Sequence, residues 1–149
     1  MTETHLDSGR ALRGYLAKVE VRWSDMDAFN HINNARMVTI LEEARIPWLF
    51  TAGKPTLALA KGLVVADLRV QYRGQLHHDH TPLQILMWVE KLRAVDFTIA
   101  YEVRPAGASL LDRPAVIASS QIAAIDFQTQ RPRRLTTAER EYLQSWQRP

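Results

Sequence analysis

Helical periodicity dominates one long stretch of this chain, and that stretch begins directly behind a short polar segment rich in acids. Met37, Leu41, Ala44 and Trp48 recur at i, i+4, i+7 and i+11 across residues 35–50, the spacing of a helix buried along one face. Ahead of it, Val19, Val21 and Trp23 alternate with Lys18, Glu20 and Arg22, the two-residue period of a strand. Between strand and helix lies a polar loop ending in Asn33-Asn34. Either asparagine suits the N-cap, where a short polar side chain accepts from one of the first unpaired N–H groups. Pro47 removes a donor late in the helix and should kink or end it, and Gly53 is a candidate C-terminal cap.

Downstream the period changes to two. Val64, Ala66, Leu68, Val70 and Tyr72 alternate with Val65, Asp67, Arg69, Gln71 and Arg73, which predicts a half-buried strand. After a turn-rich break over 74–82, residues 83–93 carry apolar side chains on both faces, as a sheet covered on both sides requires. Phe97, Ile99, Tyr101 and Val103 give a further half-buried strand, and Pro105-Ala106-Gly107 opens a hairpin connection. Residues 115–127 form a last strand-like run, softened by Ser119, Ser120 and Gln121. A short helix is predicted over 136–147, capped by threonine, with Leu143 and Trp146 on one side. The fold class is α+β, one helix against one antiparallel sheet.

A chain of 149 residues fits a single domain over 1–149 with its own core. Residues 1–14 are polar and read as a loose N-terminal arm without the apolar segment of a secretory signal. No apolar run approaches membrane-spanning length, so the expectation is a soluble cytoplasmic protein. Lys and Arg outnumber Asp and Glu by 19 to 16, a bias too mild to argue for nucleic acid. Without cysteine the chain has no disulfide, thiolate nucleophile or cysteine metal site.

The loop before the helix concentrates the chemistry. Asp25, Asp27 and His31 lie within ten residues of a helix N-terminus, whose free N–H groups and partial positive charge suit an oxyanion. A carboxylate beside such a site can act as base or nucleophile on a bound carbonyl. The structural alternatives are that Asp27 caps a turn and that His31 bonds a backbone carbonyl rather than touching substrate. Asp25 reads as the structural acid of the two, and Glu42-Glu43-Ala44-Arg45 as an exposed or ion-paired face. His77-His78-Asp79-His80 reads as a polar turn rather than a metal site, because neighbours in a tight turn rarely converge on one ion. No glycine-rich phosphate loop and no G-x-S-x-G elbow is present.

Asp25-x-Asp27-x3-His31-x-Asn33-Asn34 followed by Leu41-Glu42-Glu43-Ala44-Arg45 resembles the signature of acyl-CoA thioesterases related to 4-hydroxybenzoyl-CoA thioesterase. These are hotdog-fold enzymes, in which a long central helix is wrapped by an antiparallel sheet, here of about five strands. The resemblance implies that Asp27 is the catalytic carboxylate, as general base or as nucleophile through a mixed anhydride. It also implies that the N–H of Asn34 polarises the thioester carbonyl, with His31 beside them. The site is then expected between protomers of a homodimer or homotetramer, with no metal or redox cofactor and coenzyme A present only as part of the substrate. Asn30 stands where such motifs carry glycine; asparagine tolerates the left-handed backbone the turn needs. Arg131-Pro132-Arg133-Arg134 is either a solvated loop or, with Arg93, a contact for coenzyme A phosphates, whose oxygens match a guanidinium. The rival functions are a hotdog dehydratase, whose histidine–aspartate motif is not found, and a non-catalytic acyl-CoA-binding or regulatory module.

Overall fold

The computed structural model describes residues 13–148; the arm expected over 1–14 therefore lies almost wholly outside the described residues. Strand β1 is Tyr15–Val19, earlier than the alternation through Trp23 suggests. Its partner β3 (Leu83–Leu92) pairs Val19 with Leu83, and the residue before Leu83 is Pro82, which has no N–H to extend the ladder. The next inward residue, Val21, gives its N–H to the Thr81 hydroxyl instead, at 2.8 Å. Trp23 opens a short 3₁₀ turn, Trp23–Asp25, and is three-quarters exposed.

Helix α1 runs Asn34–Leu49 with Asn33 as its N-cap, the Asn33 Oδ1 accepting from the N–H of Ala35 at 2.9 Å. Met37, Leu41, Ala44 and Trp48 are all buried, joined by Ile40 and Leu49. At 16 residues α1 spans about 24 Å and is shorter than the long central helix expected. Pro47 lies inside it and offers no N–H to the preceding turn, and the helix closes two residues later with the N–H of Phe50 on Ile46 O. Phe50 is therefore the C-cap, and Gly53 belongs to the turn beyond, at φ +84°.

The remaining strands are β2 (Leu63–Tyr72), β4 (Asp96–Arg104) and β5 (Val116–Ala124). All pairs are antiparallel in the order β1-β3-β4-β5-β2. Ile85, Met87 and Val89 of β3 and Phe97, Ile99, Tyr101 and Val103 of β4 are wholly buried and form one core with the α1 stripe. Each such aliphatic or aromatic side chain contributes about 1.5–3 kcal/mol by leaving water. The outer face of β3 is covered as well: Leu86 is buried, and the Arg148 guanidinium lies 3.4 Å from the ring centre of Trp88.

Strand β2 departs from expectation. Alternation predicts a half-buried strand, yet Val64, Val65, Leu68 and Tyr72 are between 38% and 46% exposed. As the edge strand beyond β5 it is hydrogen-bonded on one side alone, and a bulge between Val65 and Asp67 shifts its register.

Helix α2 (Thr137–Ser145) docks on the sheet through Leu143 and the residue after it, Trp146. Tyr15, Trp48 and Trp146 form a trio with ring centres 5.7–5.9 Å apart, one pair stacked and two edge-on. The Tyr142 hydroxyl donates to the Trp48 carbonyl at 2.7 Å, one of the acceptors left open where α1 ends.

Candidate active site

Two acids two residues apart are held in different ways. Asp25 is buried; its Oδ2 accepts from the N–H of Arg22 at 2.9 Å, and its carbonyl accepts from the N–H of Asn33 at 2.9 Å. Those bonds close the 3₁₀ turn and set the start of α1, a structural role. Asp27 is half-buried at the tip of the next turn. Its N–H donates to His31 O, its carbonyl accepts from Asn30, and its Oδ1 accepts from the N–H of Phe29 at 2.9 Å. Among the described residues its Oδ2 has no hydrogen-bond partner. Asn30, in place of glycine, takes φ +62°, the left-handed geometry that lets the chain reverse between Asp27 and His31.

The far side of this loop is tied to the β2–β3 connection. Ile32 donates its N–H to Leu76 O at 2.9 Å, and the His77 Nδ1–H donates to Asn30 O at 2.6 Å. The ring of His31 packs 5.0 Å from that of His77. Asp27, His31 and Asn34 thus line one cavity of about 570 Å³, together with Met37, Tyr72 and Leu76. Asn34 is the first residue of α1, so its N–H has no acceptor within the helix, and none is found among the other described residues. Tyr72, the last residue of β2, donates its hydroxyl to Asn34 O at 2.7 Å, and burial pushes its phenol up from the ordinary range. The residues that carry a carboxylate oxygen and a helix-terminal N–H without hydrogen-bond partners among the described residues line a common cavity.

A family model for the thioesterase-like superfamily matches residues 21–145. The chain belongs to that superfamily. Solved structures agree on the fold. A predicted thioesterase from Bacillus stearothermophilus superposes with TM-score 0.73 at 21% identity, covering 88% of this chain and 94% of that one. A thioesterase from Thermus thermophilus, complexed with coenzyme A and Zn, gives 0.72 at 23%, covering 88% and 92%. DHNA-CoA thioesterase from Staphylococcus aureus gives 0.67 at 22%, covering 80% and 79%. No curated protein is similar enough in sequence to match.

Within this superfamily member the basic residues lie elsewhere. Tyr72 and Val116 mark the cavity end of the sheet. Arg133 donates its N–H to Ala124 O and Arg93 precedes β4, so both sit at the opposite end, about 26 Å along β5. Arg133 is engaged: it binds Glu139 through two nitrogens at 2.8 and 3.0 Å. Arg93 makes a loose 4.0 Å pair with Asp96. Arg131 is exposed. One protomer does not bring these three guanidiniums together with Asp27.

Glu43 pairs with Arg22 at 2.9 Å, as an ion-paired helix face requires. Arg45, by contrast, is buried, its Nη1 donating to the Tyr101 hydroxyl at 3.1 Å. His78–His80 form a 3₁₀ turn, and among the described residues no group of three or more His, Asp or Glu converges as a metal site would need. No helix of the described residues is long and apolar enough to cross a membrane. Sequence reading missed Tyr72 as a site residue, treating it as one position of a strand; the signal was a hydroxyl-bearing aromatic two positions before the Gly74 break.

Proposed function

We propose that this protein hydrolyses an acyl-CoA thioester to the free acid and coenzyme A. The observation that carries the reading is the shared cavity in which Asp27 Oδ2 and the N–H of Asn34 are both unengaged. A thioester carbonyl placed with its oxygen on that N–H develops negative charge at a helix N-terminus, where donors are fixed in advance; removing such a donor costs about 10²–10³-fold in rate. Asp27 then either takes a proton from water or attacks the carbonyl carbon itself. In the first route the hydroxide adds, the tetrahedral intermediate expels the coenzyme A thiolate, and the acid remains. In the second, expulsion of the thiolate leaves a mixed anhydride at Asp27 that water cleaves. His31 closes the loop on the side facing the cavity. The Thermus thermophilus relative complexed with coenzyme A supports the choice of thioester.

The exposed apolar side chains on the edge of β2 support assembly as well. An unpaired ten-residue edge invites a second strand, and two-fold pairing of β2 with its copy is the economical solution. The functional reading is tested with a panel of acyl-CoAs and free-thiol detection. Thiol release that depends on Asp27 is the expected result; an inert panel would leave a binding module, and hydration without thiol release a dehydratase.

A further inference from the structure

The β2–β3 connection carries His77-His78-Asp79-His80, a cluster that the proposed chemistry leaves unused. Two of its imidazoles have fixed tautomers, because each of their bonds admits one direction. The Asn30 carbonyl can only accept, so His77 Nδ1, 2.6 Å away, carries the proton. His80 Nδ1 accepts from the His77 N–H at 3.0 Å and therefore keeps its lone pair. The His80 N–H closes back on His77 O at 3.0 Å, so the two residues bind one another twice. The His80 carbonyl in turn takes the N–H of Ala106, just past β4, at 2.9 Å. His77 is thus held through its own backbone while its ring reaches back to the turn that carries Asp27.

That turn needs a hold. It reverses through Asn30 at φ +62°, a left-handed backbone that a residue other than glycine keeps only where its surroundings enforce it. The bonds closing the turn are Asp27 N–H on His31 O and Asn30 N–H on Asp27 O, both 3.0 Å, and neither fixes the Asn30 carbonyl. His77 does. It pins the peptide between the left-handed residue and His31, whose carbonyl receives the Asp27 N–H. We infer that His77 is a positioning residue: its Nδ1–H holds the Asp27 turn in the geometry that hydrolysis requires, with His80 as the brace behind it. The assignment rests on the hydrolytic reading of the Asp27 cavity. All of its bonds lie within one protomer, so it is indifferent to how β2 pairs. The ring serves as a donor and transfers no proton. Neither His77 nor His80 lines the cavity, so the effect belongs in kcat rather than KM; a misplacement of about 1 Å at a reacting group can cost about 10²-fold.

The test compares His77→Leu, which removes the donor, with His77→Asn, whose amide N–H falls near the place of Nδ1–H and does not titrate near neutral pH. For thiol release from acyl-CoA, His77→Leu should lower kcat at least about tenfold with KM within about twofold, and His77→Asn should return to within about threefold of wild type. On an Asp27→Asn background His77→Leu should cost nothing further, because it acts through that carboxylate. Amide exchange followed by NMR reads the hold without turnover. The N–H groups of Asp27 and Asn30 should exchange at least about tenfold faster in His77→Leu and at the wild-type rate in His77→Asn. Wild-type exchange or wild-type kcat in His77→Leu overturns the proposal. Equal loss of kcat in both variants overturns it too, since the ring would then act as an acid–base group or as filler. Nitrogen NMR of the wild type above the imidazole titration range should show His77 protonated at Nδ1 and His80 unprotonated there; the reverse tautomers refute the strap even if no variant folds. Should the wild type release no thiol from any acyl-CoA while exchange still follows the expected pattern, the hydrolytic reading falls and the hold on the turn stands.

Discussion

The loops ahead of the two helices are built alike and engaged differently. Before α2, Thr136 and Glu139 cap one another, Thr136 Oγ1 accepting from Glu139 N–H and Glu139 Oε1 from Thr136 N–H. Arg133 then takes both oxygens of the same buried carboxylate. Before α1, Asn33 caps with its side-chain oxygen, the first turn holds no acid, and Asp27 gives one oxygen to Phe29 and leaves the other open. A carboxylate whose bonds are all local and complete is a fastener. One that keeps an oxygen toward a cavity is available for chemistry.

The sharpest way to break that contrast is to remove the charge of each acid in turn. Asp27→Asn keeps the shape and removes the charge; loss of a general base lowers the rate by about 10²–10⁴-fold, or 3–5 kcal/mol of barrier, while melting stays unchanged. A folded variant with wild-type rate sinks the assignment. Glu139→Gln should do the reverse, costing about 1–3 kcal/mol of stability, since Arg133 loses its charged partner, with kcat intact. Denaturation monitored in parallel with turnover checks both.

Acid titration extends the comparison. Burial opposes ionisation of Glu139, yet the Arg133 guanidinium and the Thr136 N–H together hold its carboxyl below the usual glutamate range. A depressed native value means this contribution to stability is complete above the ordinary glutamate pKa, about 4.3, and is lost as pH falls through the native one. The variant Glu139→Gln should therefore show a shallower loss of stability on acidification; an unchanged slope would show that the cap does not titrate.

Smaller effects separate the basic positions. Arg131→Ala should raise KM for acyl-CoA a few-fold with kcat steady, the pattern of lost uniform binding, and should leave a pantetheine thioester unaffected. Arg133→Ala should destabilise before it alters KM, because that guanidinium is already held by Glu139. Equal losses on both substrates would make the cluster structural. The smallest effect is expected for Glu43→Gln, within about tenfold of wild-type rate; a collapse there would move the reacting acid into the helix.

Much of this was legible in the chain. The α1 stripe, its cap, the structural place of Asp25 in the loop, the two-sided apolar pattern of β3 and the alternation of β4 all follow from local spacing, because their partners lie within the same core. The failures share a cause. Strand β2 alternates correctly, yet among its apolar side chains only Leu63 and Val70 pack against the core while Val64, Val65, Leu68 and Tyr72 stay exposed, and alternation does not say whether a cover exists. Arg45 was grouped with its charged neighbours, although it stands four residues after Leu41 and three before Trp48, on the buried stripe. Tyr72 joins a helix 38 residues earlier, a contact no local period contains.

With protomers paired through β2 as proposed, the contact between Tyr72 and the Asn34 carbonyl would link assembly and ligand occupancy thermodynamically. Tyr72 ends the edge strand offered for pairing, and Asn34 begins the helix offered to the oxyanion, so order imposed on either is felt by the other. Such coupling is reciprocal by necessity. A second protomer on β2 should tighten binding of an acyl-CoA analogue, and the analogue should tighten the association of protomers by the same factor. In Tyr72→Phe the two equilibria would come apart, each still present and neither informing the other.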